Sequence, residues 1–118
     1  MSSDTTRIPG NRHTGVALND SLSVGADRVV TVRANDSARV EGNLTLRVGK
    51  AAGIEVGKGL LIEAEDSIEL RVGLASLVLK KDGSILLRGR DISIEGSGKV
   101  NVKGSRDTAL SGGKIGQN

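Results

Sequence analysis

NLTLRVGK at residues 43–50 is followed at once by AAGIEVGK at residues 51–58, and these two octads decide the fold. Inside each octad the apolar side chains stand two residues apart: Leu44, Leu46 and Val48 in the first, Ile54 and Val56 in the second. Between octads the equivalent positions stand eight apart. A helix would bring apolar residues round every three or four positions, so this pattern excludes helix. Spacing by two is that of a short strand with alternate side chains on opposite faces. The polar or glycine-rich remainder of each octad then reads as a corner.

The pattern extends in both directions. NDSLSVGA, DRVVTVRA and NDSARVEG fill residues 19–42, and GLLIEAED and SIELRVGL fill residues 59–74. Two apolar columns result. One runs Leu22, Val30, Ala38, Leu46, Ile54, Ile62, Leu70; the other runs Val24, Val32, Val40, Val48, Val56 and Val72. An eight-residue unit is too short to enclose a core, so the repeat implies stacking.

After Val72 the register slips and recovers. Ile68 and Leu70 map onto Leu77 and Leu79 by a step of nine, these onto Ile85 and Leu87 by eight, and these onto Ile92 and Ile94 by seven. Further steps of eight give Val100 and Val102, then Leu110. A one-residue shift inverts the faces of a strand, so a corner must absorb the extra residue. Lys80-Lys81-Asp82-Gly83-Ser84 is the strongest turn signal, and a hairpin-like excursion is predicted there. Glycine at each corner is expected to supply unusual backbone conformations and close approach between layers.

Composition limits what such a stack can contain. The 118 residues include no Phe, Trp, Tyr or Cys, so any interior is narrow and lined by Val, Ile, Leu and Ala. A small chain without aromatic residues or disulfides is expected to draw on other chains for burial. No signal-peptide pattern precedes the repeat, and no apolar run is long enough to span a bilayer, so a soluble product is expected.

Few residues invite chemistry. Glu63, Glu65, Asp66 and Glu69 form one carboxylate cluster, but a smooth prism offers no apolar pocket to separate an acid from a base, and no enzyme is expected. His13, the sole histidine, falls on an outward column and is not expected to bind metal; no cofactor is expected either. Residues 71–118 carry nine Lys/Arg against four Asp/Glu. Without aromatic residues for base stacking, that excess predicts weak attraction to polyanions rather than specific nucleic-acid recognition. Arg12, Asp20, Arg28 and Asp36 share one octad position with alternating sign, as a charge ladder between layers would require.

A strand and a corner make one edge of a triangular prism. Either one chain coils as a monomeric β-solenoid scaffold or three chains wind together, and the missing aromatic residues favour the trimer. About 13 octads at ~4.8 Å each give a rod on the order of 60 Å long.

The Val-Gly octads, the segment LVLKKDGSI at residues 77–85, RDISIEGSGKVNVKG at residues 90–104 and KIGQN at residues 114–118 resemble the C-terminal needle of VgrG, the valine-glycine repeat family of type VI secretion spikes. The resemblance covers residues 10–118. It implies an all-β, intertwined triple-stranded β-helix that is a homotrimer, structural rather than catalytic, helping to puncture a target envelope with transient membrane contact. It implies a tip at residues 111–118 where Lys114, Ile115, Gly116, Gln117 and Asn118 receive a PAAR-repeat protein and the effectors it carries. The tube protein would be engaged only through N-terminal domains not found here. Residues 1–9 then read as a flexible segment at a boundary, and residues 10–110 as the needle. The protein would reside in the bacterial cytoplasm before firing and be secreted into a target cell or the medium. A phage tail-spike puncturing tip is the related alternative.

Overall fold

The computed structural model describes residues 3–117. Among them the fold is all-β, without helix, and its three strands lie between residues 67 and 88. The chain divides into two units, Met1–Ala51 and Ala52–Asn118.

In the first unit the backbone bends at residues 9–10, 17–18, 25–26, 33–34, 41–42 and 49–50. That is one bend per octad, as the corner pattern predicts. Between bends no segment pairs with another part of the same chain. In the second unit the bends continue at 57–58 and 65–66 and give way to the strands. They return at 90–91, 97–98, 105–106 and 113. The positions 97, 105 and 113 are again multiples of eight from 65, so the strands occupy a span that leaves the octad phase intact.

Strand β1 is Ser67–Val72, β2 is Ala75–Lys80 and β3 is Ile85–Arg88. They form one antiparallel sheet in the order β1-β2-β3. The apolar sets grouped by the steps of nine and eight do share a face, but the direction of their pairing is reversed. Ile68 lies opposite Leu79 and Leu70 opposite Leu77; Leu79 then faces Ile85 and Leu77 faces Leu87. Steps along the sequence do not give strand direction; each tight turn folds the chain back on itself, and the second is the hairpin-like excursion expected at residues 80–84.

Two glycines make those turns. Gly73 has φ of 53° at the first central position of a two-residue loop that sets Val72 opposite Ala75. Glycine first and an ordinary residue second is the sequence of a type II′ hairpin turn, which matches strand twist. The second turn is the predicted one at residues 80–84. Gly83 N–H donates to Lys80 O at 3.1 Å, Lys80 N–H donates to Ser84 O at 3.0 Å, and Gly83 has φ of 92°. This is a three-residue loop in which a turn is followed by a left-handed glycine.

Elsewhere the expectation for glycine is corrected. Gly25, Gly49 and Gly57 do not have positive φ, and a Cβ at any of them would meet nothing within 4 Å. Their backbones do not require glycine within a single chain. Beyond the sheet the surroundings tighten: a Cβ on Gly96 would lie 2.8 Å from Val100 Cγ2, and one on Gly104 3.1 Å from Asp107 O. Gly96 and Gly104 hold the octad position that valine holds at 24, 32, 40, 48, 56 and 72. At these two positions a side chain larger than glycine would crowd its neighbours, the Val100 side chain at Gly96 and the Asp107 carbonyl and Thr108 hydroxyl at Gly104.

No residue of the described chain is buried. Leu46 is 83% exposed, Ile54 79% and Val102 77%. Such exposure of a regular apolar column is far from the scattered surface residues of an ordinary monomer.

Candidate functional site

Three places hold the residues of interest: the apolar columns, the sheet and the C-terminal segment. In the columns, residues two apart within each octad remain uncovered from Leu22 and Val24 to Val102 and Leu110, apart from Leu77, which is half-buried in the sheet. The peptide groups of the octads lack partners too. Among the described residues, every backbone hydrogen bond within the chain lies in the sheet or its turns, including Lys81 N–H to Asp66 O at 3.0 Å. Backbone donors and acceptors must be satisfied wherever water is removed, so these segments carry unpaired groups of the kind an exposed strand edge presents.

Strand alternation gives the sheet two unlike faces. Ile68, Leu70, Val72, Ala75, Leu77, Leu79, Ile85 and Leu87 form one side, which is entirely apolar. Leu70, Val72, Ala75, Leu77 and Leu87 line an open depression on it. The opposite side carries Ser67, Glu69, Arg71, Ser76, Val78, Lys80, Leu86 and Arg88. Here Arg71 pairs with Glu69 through Nε and a terminal guanidinium nitrogen, and Val78 and Leu86 lie adjacent and half-buried in the middle row. Val78 and Leu86 continue the strict eight-residue count from Leu70, yet the reversal of β2 puts them on the charged side. The slip to Leu77, Leu79, Ile85 and Leu87 is what gathers these residues on the same side of the sheet as Ile68, Leu70 and Val72.

Charge is concentrated around the second turn. Lys81 Nζ is 3.9 Å from Glu65 Oε1, an exposed pair of small energetic weight. Asp82 Oδ1 accepts the N–H of Ser84 at 3.0 Å. That bond, with help from the Ser84 side chain and the Lys80 charge, holds the exposed Asp82 carboxyl below the ordinary aspartate value.

The carboxylate cluster is not assembled as a unit. Glu65 is drawn to Lys81 and Glu69 to Arg71, and no three His, Cys, Asp or Glu side chains converge among the described residues. His13 is exposed. Ion pairs among the described residues are Glu69–Arg71, Glu65–Lys81 and Asp91–Arg90, so one chain does not pair Arg12, Asp20, Arg28 and Asp36 with each other.

In the C-terminal segment Lys114, Ile115, Gly116 and Gln117 are exposed and lie beyond the bend at Gly113, while Asn118 lies outside the described residues. Ile115 puts an uncovered apolar side chain between Lys114 and Gln117. Sequence reasoning missed one structural residue, Gly73, whose Val-Gly dipeptide looks like any other repeat corner. The signal was Gly-Leu between two alternating apolar runs. No protein-family model and no curated protein matches the chain.

Proposed function

We propose that three copies of this chain wind into a triple-stranded β-helical needle, the puncturing spike of a type VI secretion apparatus. The carrying observation is that the octads expose both their apolar columns and their backbone hydrogen-bonding groups along the described chain. A monomeric solenoid would pair successive coils of one chain, whereas octads with no partner in their own chain favour winding with other copies. The intertwined prism satisfies both deficits at once: each strand pairs above and below with a neighbouring chain, and the columns meet at the axis.

The remaining assignment rests on the likeness of the Val-Gly octads and C-terminal segment to the valine-glycine repeat spikes. The needle transmits force, touches the target membrane in passing and carries no catalytic centre. Its end, from Lys114 to Asn118 in three copies, receives a PAAR-repeat protein and its effectors, with Ile115 as apolar contact and Gln117 and Asn118 as polar rim. It waits in the bacterial cytoplasm and leaves when the machine fires.

Light scattering tests the assembly: a trimer has a mass of about 37 kDa, three times the 12.2 kDa chain. A 12.2 kDa particle refutes it. Removing residues 113–118 should leave the trimer intact and abolish binding of the PAAR-repeat protein. Retained binding would remove the docking assignment.

A further inference from the structure

We propose that the sheet Ser67–Arg88 is a registration clamp, a surface on which each chain recognises the same segment of two further copies and so fixes their axial alignment. This rests on the trimeric needle reading. The need for a clamp follows from the repeat. Sliding one chain by an octad sets Leu46 at the level of Ile54 and Val48 at the level of Val56, apolar against apolar. Little is lost except pairing at the ends, and strands whose side-chain pattern repeats specify register weakly.

The sheet breaks that degeneracy in two ways. First, its ladder is internal to one chain, whereas the octads have no internal ladder. A chain slipped by an octad sets a self-paired sheet beside octads that need a partner strand, stranding backbone donors and acceptors on both. Second, its apolar side contains Leu70 and Val72, which are also the last members of the two apolar columns. Three aligned sheets bring three such sides to one axis; slipped ones leave Leu77, Leu79 and Leu87 without their counterparts.

The phase of the bends is compatible with this role. From Ile68 to Ile92 the sequence advances three octads, and after one bend displaced by a residue at 90–91 the corners are in step again from residue 97, so the octad phase is the same on either side of the clamp. Its contacts are local in sequence, joined by two tight turns, and short loops close faster than chains meet. The sheet forms within each chain first and association follows.

The chain has no cysteine, so Val56→Cys makes a single axial reporter in an otherwise complete protein. Aligned chains place the thiols at one level and oxidation links them; a slip by an octad sets each opposite Val48 or Ala64. Deleting residues 73–88 joins Val72 to Gly89 with the octad phase kept. In that variant the trimer should form with a cross-linking yield about threefold or more below the undeleted protein, because register is no longer specified. A yield equal to that of the undeleted protein overturns the clamp. Pulsed hydrogen exchange during refolding of the undeleted chain is an independent test and decides the matter if the deletion fails to assemble. Amides of β1 to β3 should gain protection first, at a rate independent of protein concentration, and octad amides later, at a concentration-dependent rate. Octads protected before or together with the sheet would refute it. A monomeric undeleted protein instead removes the needle reading itself.

Discussion

Asp82 reaches forward to Ser84: its Oδ1 accepts the Ser84 N–H at 3.0 Å and fastens the turn that carries β2 into β3. The two flanking bonds, Gly83 N–H to Lys80 O and Lys80 N–H to Ser84 O, leave the side chain to hold the last peptide of the loop. An aspartate bonded to the backbone two residues on is a turn-former in its own right.

That bond makes the hairpin sensitive to acid. Asp82 is depressed below the ordinary aspartate value, so its stabilising effect is present above the unfolded value and is lost as pH falls through the folded one. Asp82→Asn keeps an acceptor but removes the charge. Thermal midpoints of the two proteins should differ near neutrality and converge in acid, below the ordinary aspartate range. Parallel curves throughout would show that the carboxylate is not coupled to folding.

Gly73 and Gly83 are the positions where the backbone itself demands glycine, with φ of 53° and 92°. Alanine at either should cost ~1 kcal/mol or more, since a Cβ is strained in that region. Thermal or denaturant melts of each single variant measure it, and an unchanged midpoint would contradict the turn geometry.

The columns make a sharper contrast. Leu46→Asp places a carboxylate where three chains are proposed to meet and should cost about 3 kcal/mol or more per chain, enough to dissociate the assembly. Thr45→Asp, one residue earlier on the opposite side of the strand, should change stability by less than ~0.5 kcal/mol. Light scattering at fixed protein concentration reads both, and equal effects would mean that the two sides are not distinguished.

At Gly96 and Gly104, beyond the sheet, crowding rather than backbone conformation disfavours a side chain. Gly104→Ala puts a Cβ 3.1 Å from a backbone oxygen and should destabilise by about 1 kcal/mol, through overpacking. Hydrogen exchange around the bend at residues 105–106 should accelerate, while exchange in β1 to β3 stays as it was.

The corners were legible in the sequence. The bends from residues 9–10 to 65–66 follow the octads one for one, because polar and glycine-rich corners between alternating segments leave few other places to turn. Lys80 to Ser84 was equally plain, with Asp-Gly inside it. Gly73 was not, because a valine-glycine pair that marks an ordinary corner elsewhere looks the same where it reverses the chain. Direction was hidden for a related reason: Ile68 and Leu70 match Leu77 and Leu79 in either sense, since apolar side chains spaced by two look alike read forward or backward. The number of chains cannot be read from a periodicity, because a coil of one chain and a braid of three need the same spacing. Nor did the glycines at 25, 49 and 57 reveal their purpose, since nothing in the single chain crowds them.

The return of the corners to phase from residue 97 has an evolutionary consequence. Gain or loss of eight codons, or a multiple of eight, moves everything downstream by whole octads and leaves each side chain at its former octad position. Gain or loss of a single codon shifts the phase of everything beyond it unless a later step compensates, as the step of seven to Ile92 offsets the step of nine to Leu77. Length in this protein is therefore most simply changed in whole octads, by tandem duplication and deletion.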